Sequence, residues 1–253
     1  MSNNNSQKDL PSSAMSLGDH LEELRVRVIL AAVGLFVGVA AGLFFGKFVI
    51  RIMLNPYMAV MGDTSKLLVL TPVEGFMSYM KIAFISGLII SSPWVFYQIW
   101  MFVATGLYPK EKKYVYWTIP FSVILFMAGA IFFMLVIAPV TMGFLVKFNE
   151  TVLDAASTFT FQGYISFITT LILVFGAAFQ TPIVIFCLNK TGLVSLSSFQ
   201  NSRKYVILAI VFIAGAATPG PDVISQIALA IPLYLLFELG IFLSIIFKHK
   251  IKN

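Results

Sequence analysis

The sequence has little charge, a single cysteine and only two histidines. Charged residues make up 11% of the 253 positions, whereas an average soluble chain carries about 25%. Hydrophobic residues reach 59% and the mean hydropathy is +0.92, so the composition excludes a soluble globular protein and predicts an integral membrane protein. One cysteine, Cys187, excludes an intrachain disulfide, and its apolar run predicts an inert buried thiol.

The residues that catalytic and metal sites need are also scarce. His20 and His249 lie at opposite ends of the chain, so no metal cluster is predicted. No Ser-His-Asp set, metal-ligand set or phosphate-binding glycine loop is visible, and we therefore expect neither enzyme activity nor a cofactor. The net charge of +6 collects in short segments beside apolar runs, as membrane topology alone produces, and does not indicate nucleic-acid binding.

The apolar runs predict an all-α protein with six transmembrane segments in one domain, residues 17–248. We expect a disordered polar tail over 1–16 and a basic tail over 249–253, both cytoplasmic. The predicted segments are 28–45, 71–104, 114–138, 161–188, 205–217 and 223–247.

Local signals predict where several helices begin and end. Ser16 and Asp19 resemble a capping box, which predicts a helix from about Leu17. After the first segment, the mixture of basic and apolar residues over 47–56 predicts an interfacial helix on the outer face that stops before Pro56. Thr71 followed by Pro72 predicts the start of a long second helix, and an outer loop is predicted over 139–160.

The last two segments are unusual because the fifth is short. Residues 205–217 give about 20 Å of helix, less than the roughly 30 Å of a hydrocarbon core. A tight turn follows, in which Asp222 is placed to cap the last helix, and Pro232 and Glu238 interrupt that helix. This pair predicts a thinned or hydrated bilayer beside it.

The distribution of lysine and arginine predicts the orientation. Twelve basic residues flank one side of the predicted segments and four flank the other. Because basic residues concentrate on the cytoplasmic side, both termini are predicted to be cytoplasmic. The stretches 20–25 and 105–113 then lie on the cytoplasmic side.

Four motifs at these positions resemble one family. They are His-Leu-Glu-Glu-Leu-Arg at 20–25, Tyr-Gln-Ile-Trp at 97–100 with Phe102, Leu107 and Tyr108 with Glu111, and the hairpin motif 218–226 with 230–232 and 237–238. In this order and at these positions they resemble TatC, the multispanning receptor subunit of the twin-arginine protein translocase.

The resemblance implies a glove-like bundle of six helices in the bacterial cytoplasmic (inner) membrane. Such a protein binds the twin-arginine signal peptides of folded cargo proteins at its cytoplasmic face. It acts with TatA-type and TatB-type single-span subunits, associates with itself in the lipid bilayer, and uses the proton-motive force.

Motif positions also imply residue roles. The signal-peptide residues would be Glu23, Arg25, Phe102, Leu107 and Glu111. Structural or partner-docking roles would fall to Pro56, Gln180, Asp222 and Glu238. Two positions depart from the family pattern: Thr105 stands where a proline is common, and Gln180 where an intramembrane glutamate is common. A mechanism that needs a titrating group at 180 is therefore not expected here.

The physical chemistry of the predicted cytoplasmic surface agrees with the roles that the resemblance implies, and some of its residues also fit a second role. Paired arginines bind carboxylates bidentately, and Glu22, Glu23 and Glu111 are the candidates. The segment 20–25 is otherwise typical of a solvated turn before a transmembrane helix. Glu22 fits a solvated surface charge, and Glu111 also fits a carboxylate that stabilises a helix N-terminus.

Polar and aromatic residues within the apolar segments also have predicted roles. Glu238 is either functional, since an intramembrane carboxylate is costly, or paired with a nearby cytoplasmic lysine. Gln180 is expected to join helices by hydrogen bonding. Trp94, Tyr97 and Trp100 are expected to form an interfacial aromatic belt.

The rival class is a small secondary transporter, which prolines at 93, 182 and 232 beside polar residues would suit. The absence of an internal repeat and of a charged midplane site, apart from Glu238, argues against that class.

Overall fold

The computed structural model describes residues 17–63, 67–107, 112–217 and 223–249. In chain order these contain α1 (Leu17–Met61), β1 (Leu67–Leu68), α2 (Pro72–Thr105), α3 (Lys112–Phe132), a π-helical turn (Phe133–Ile137), α4 (Ala138–Val152), β2 (Phe159–Thr160), α5 (Phe161–Ala178), α6 (Thr181–Lys190), α7 (Leu196–Asn201), α8 (Arg203–Ala217) and α9 (Val223–His249). The two strands are two residues each and pair in parallel, so the fold is helical apart from this contact.

Five helical segments of the described residues are long and apolar enough to cross a membrane. The predicted class, an all-α membrane protein, is therefore confirmed. The predicted segment that is not among these five is the fifth, α8, whose 15 residues give about 22 Å of helix at 1.5 Å per residue. The count of six crossings stays a prediction.

The first helix is longer than predicted. It runs unbroken to Met61, so the expected stop before Pro56 is wrong, and Pro56 lies buried inside the helix. A proline weakens the preceding turn by removing a backbone hydrogen bond. Here the hydroxyl of Tyr164 in α5 donates to the backbone carbonyl of Met53 in that turn. A partner from another helix thus adds a hydrogen bond in the turn where Pro56 deprives the Ile52 carbonyl of its backbone donor.

The predicted outer loop 139–160 is wrong over most of its length. The chain stays helical through α4 to Val152. A π-helical turn precedes Pro139, and such wide turns accommodate an interrupted bond ladder. The helix persists because Met142 and Val146 are buried in the bundle, whose packing overrides the local signal.

The fourth predicted segment is two helices rather than one. After α5 ends at Ala178, the chain turns at Phe179 and Gln180 before α6 begins. Pro182 stands in the first turn of α6, where its missing N–H is tolerated.

The last helix is continuous where an interruption was predicted. The helix α9 runs through Pro232 and Glu238 without a break.

Helix starts were predicted better. The helix α2 begins at Pro72, as predicted. The chain is helical from the first described residue, Leu17, so the predicted start of α1 stays a prediction. At the start of α2 the side chain of Thr71 makes no capping hydrogen bond. The carboxylate of Glu74 instead accepts the backbone N–H of Leu70 at 3.0 Å.

A stripe of glycines holds α1 against α2. Gly34, Gly38, Gly42 and Gly46 recur every fourth residue on the face of α1 that meets α2. A Cβ at Gly38 would overlap the carbonyl oxygen of Gly87, and a Cβ at Gly42 would overlap that of Ala83. Small residues at this spacing let two membrane helices approach until their backbones touch.

Two aromatic side chains of α2 close the ends of this stripe. Tyr79 lies over Gly46 and its hydroxyl donates to the carbonyl of Leu43 at 2.6 Å. Trp94 lies over Gly34 and its indole N–H donates to the carbonyl of Leu30 at 2.8 Å. The glycines thus make α1 backbone acceptors reachable from α2.

Gly38→Ala tests this close contact. The added methyl meets a backbone oxygen that cannot rotate away, so we expect a loss of about 1–3 kcal/mol in stability, typical of overpacking. Gly75→Ala is the matched control, because a Cβ there meets nothing within 4 Å. Alanine should be neutral or favourable at Gly75, since it has the higher helix propensity. Melting temperatures of the two variants in detergent measure the difference, and equal values would contradict the account.

Candidate functional site

The cytoplasmic ends of α1 and α2, so named from the charge distribution, carry a connected polar network. The Glu23 carboxylate Oε1 accepts the Nε–H of Arg27 at 2.7 Å, one helical turn later in α1. The guanidinium of Arg27 also donates to the Gln98 amide oxygen of α2 at 3.0 Å. Gln98 is 1% exposed, so the network is anchored in the helix contact.

This network leaves one carboxylate oxygen available. About 27% of the Glu23 side chain is exposed, and no hydrogen bond to its Oε2 is present among the described residues. Arg27 and the buried Gln98 hold the carboxylate in one position. Glu23 can therefore accept a further charge-assisted hydrogen bond without having to be ordered first.

An aromatic pair lies one turn from the carboxylate. The rings of His20 and Phe102 stack with centroids 4.6 Å apart. The hydroxyl of Thr105 lies 3.3 Å from the His20 ring Nδ1 and donates to the Phe102 carbonyl at 2.7 Å. These contacts fix the first turns of α1 against the last turn of α2.

A small hydrophobic cluster lies at the same end of α2 as the polar network and the aromatic pair. Trp100, Ala104, Val115 and Cys187 are buried together, and Leu107 packs against them. Cys187 is thus buried, as predicted. The prediction that Trp100 belongs to an interfacial belt is wrong, because its indole N–H donates at 2.8 Å to the buried Ser122 hydroxyl of α3.

The other two belt residues do lie on the outside. Trp94 and Tyr97 are 46% and 37% exposed and their rings stack. The difference from Trp100 comes from position on α2: Trp100 faces α3 and α6, whereas Trp94 lies over Gly34 at the exposed edge of the α1–α2 contact and Tyr97 stacks on it.

Comparison with known proteins decides the family. A model of the family described as Sec-independent protein translocase protein (TatC) matches residues 19–232. This chain belongs to the TatC family. It is 36% identical over 236 residues to the Sec-independent protein translocase protein TatC of Carboxydothermus hydrogenoformans, a match that covers 93% of this chain and 95% of the relative. The TatC protein of Aquifex aeolicus is 36% identical over 239 residues, with 94% and 98% covered.

A solved structure agrees with the sequence relatives. The crystal structure of a twin-arginine translocase receptor TatC superposes with a TM-score of 0.82 at 35% identity and covers 90% of this chain and 98% of that one. The helical membrane bundle implied by the resemblance is thus confirmed. TatC proteins are subunits of a protein translocase, so this chain is a multi-pass transport component rather than an enzyme.

The structure brings some of the predicted TatC site residues together and not others. Glu23 and Phe102 lie at the same end of the α1–α2 pair, joined through His20 and the network around Arg27. Arg25 is exposed on α1. Leu107 belongs to the cluster beneath, at the end of α2. Glu111 and Asp222 lie outside the described residues, as do the tails 1–16 and 250–253.

Gln180 lies at the turn between α5 and α6. Its amide Nε2 donates to the backbone carbonyl of Ser122 in α3 at 2.9 Å, which is a helix-joining contact of the predicted kind. Its Oε1 is buried without a hydrogen-bond partner among the described residues. An amide can donate to Ser122 as an ionised carboxylate cannot.

Glu238 is paired, with an arginine rather than the suggested lysine. Arg203 at the start of α8 contacts both carboxylate oxygens, at 2.8 and 2.9 Å. The Tyr234 hydroxyl donates to the same carboxylate at 2.8 Å. This bidentate pair ties the first turn of α8 to the middle of α9 and neutralises a charge inside an apolar helix.

Sequence reasoning missed the residues that hold Glu23. Arg27 follows Glu23 by four residues, the spacing of a helical ion pair, and this signal was visible. Gln98 lies in the Tyr-Gln-Ile-Trp motif, but its contact with Arg27 crosses between helices and has no local signal. Among the described residues no group of three or more histidine, cysteine or acidic side chains is placed to hold a metal ion.

Proposed function

We propose that the cytoplasmic ends of α1 and α2 bind the twin-arginine signal peptides of folded cargo proteins. The observation that carries the proposal is the ordered Glu23 carboxylate, whose Oε1 is held by Arg27 and whose Oε2 has no hydrogen-bond partner in the described part of the chain. A guanidinium matches a carboxylate in geometry as well as charge, whereas a lysine ammonium is a point charge. The related protein of known structure is itself named a twin-arginine translocase receptor, which supports this assignment.

In this proposal each side chain has a physical task. Glu23 accepts a peptide guanidinium, and Glu111 supplies a second carboxylate for the adjacent arginine. The ring pair His20–Phe102 offers an apolar and aromatic surface next to Glu23 for the peptide segment around the arginines. Arg25 and Leu107 complete the surface at its rim and base.

Glu23→Gln tests the site. The amide keeps the shape of the side chain and removes the charge, so affinity for a twin-arginine peptide should fall by about 1.5–3 kcal/mol, roughly 10-fold to 150-fold. Glu22→Gln is the matched control, because Glu22 is an exposed carboxylate one residue away. Fluorescence anisotropy with a labelled peptide and the detergent-solubilised protein measures both.

Glu111→Gln is expected to weaken binding to a similar extent in the same assay. If neither Glu23→Gln nor Glu111→Gln changes the affinity while both proteins keep their helical content, the surface is not the receptor site. A loss in Glu22→Gln as large as that in Glu23→Gln would mean that general negative charge, rather than this carboxylate, attracts the peptide.

The same proposal extends to the assembly. We infer that the chain resides in the bacterial cytoplasmic membrane and works with TatA-type and TatB-type single-span subunits and with further copies of itself. Export is driven by the proton-motive force. The α8–α9 hairpin is the proposed partner-docking face, because α8 is too short for an undeformed bilayer and a helix of this length is expected to weaken lipid order beside it.

Lengthening α8 tests the role of the hairpin. Four leucines inserted after Ile210 add about 6 Å, close to one turn, and relieve most of the mismatch with the bilayer. Peptide binding at Glu23 should then survive while export of a folded cargo protein fails. The control is an insertion of four serines after Leu193, which is exposed in the connection before α7.

Both outcomes of the insertion are informative. Loss of export with retained peptide binding supports a role for the short hairpin in assembly with the single-span subunits. Export at the normal rate from the lengthened protein would show that the length of α8 has no such role.

A further inference from the structure

The outer half of the bundle has an apolar groove that contains a lysine. The groove lies between α2 and α5 and has a volume of about 360 Å³. Its walls include Met77, Met80, Phe84, Thr170 and Leu173, with Lys81 among them. It is open to the outside of the bundle rather than enclosed, and Lys81, Phe84 and Thr170 are exposed.

The depth of Lys81 follows from the glycine stripe. Gly46 meets Tyr79 and Gly42 meets Ala83, so the same antiparallel register sets Lys81 opposite Phe44. That level is three residues, about 4.5 Å, inside Lys47, where the uncharged run of α1 ends. The stem of Lys81 therefore lies at the outer edge of the hydrocarbon, within reach of the headgroup region.

The ammonium of Lys81 has an incomplete set of partners. Its Nζ donates to the hydroxyl of Ser166 in α5 at 2.7 Å. Among the residues that the structure describes, no carboxylate forms an ion pair with it. An ammonium has three N–H donors, and a charge left unpaired at the membrane is costly, so an external anion would be favoured here.

We propose that this groove binds an anionic phospholipid of the outer leaflet, with the phosphate on Lys81 and an acyl chain along the groove. The apolar walls suit a hydrocarbon chain, and the cation stands at the level where a phosphate begins. A headgroup such as phosphatidylglycerol brings a net negative charge, whereas the choline of phosphatidylcholine neutralises its own phosphate. Ser166 positions the ammonium across the groove.

Native mass spectrometry of the purified protein tests the proposal. The protein in detergent is incubated with equimolar phosphatidylglycerol and phosphatidylcholine, and the bound lipids and the number of protein copies are counted. Wild type should retain phosphatidylglycerol preferentially. Lys81→Gln should reduce that retention about tenfold, as loss of a charge-assisted contact predicts. Lys47→Gln, an exposed lysine of the outer interface away from the groove, should leave it unchanged.

A second variant fills the groove without changing charge. Thr170→Trp places a large ring where the acyl chain would lie, and it should lower retention of both lipids while the helical content is unaltered. Equal retention of phosphatidylglycerol in wild type and Lys81→Gln would overturn the proposal. Loss of self-association instead of lipid in Lys81→Gln would also overturn it, by assigning the groove to a second copy of the chain.

Discussion

The contact between α1 and α2 is the feature on which the rest of the structure depends. In a bilayer there is no hydrophobic driving force for two apolar helices to associate, because lipid tails are as apolar as their side chains. Close packing and hydrogen bonds must therefore hold them together. The glycines from Gly34 to Gly46 allow that approach, and Tyr79 and Trp94 use it to reach the backbone of α1. The polar network around Glu23 and the groove between α2 and α5 are both built on α2, and the polar network extends directly from this contact. The register that sets Arg27 beside Gln98 also sets Lys81 near the outer interface.

A second constraint is that polar side chains within the bundle need partners. Ser122 of α3 meets two of them, since its hydroxyl accepts from Trp100 and its carbonyl accepts from Gln180. Glu238 is likewise held by Arg203 and Tyr234. These contacts join helices that are distant in sequence. They indicate that much of the polar content of the apolar segments serves the bundle itself, whereas the Glu23 Oε2 has no hydrogen-bond partner among the described residues.

Sequence could predict what depends on composition and local signals. The membrane class followed from low charge, and the start of α2 followed from the residues around Pro72. It could not predict that α1 passes through Pro56, because the supporting hydroxyl belongs to Tyr164, more than a hundred residues away. The burial of Trp100 depends on Ser122 in the same manner. The glycine stripe is different, because its four-residue spacing is present in the sequence and is by itself a signal for close helix packing.

The most direct test of the central claim compares arginine with lysine in the ligand. A signal peptide with two arginines and one with two lysines are each titrated against wild type and against Glu23→Gln in the same detergent. If Glu23 receives a guanidinium, the affinity lost on changing arginine to lysine should be clearly smaller in Glu23→Gln, because the contact that distinguishes the two is already gone. The same loss in both proteins would show that Glu23 does not contact the arginines and would contradict the account.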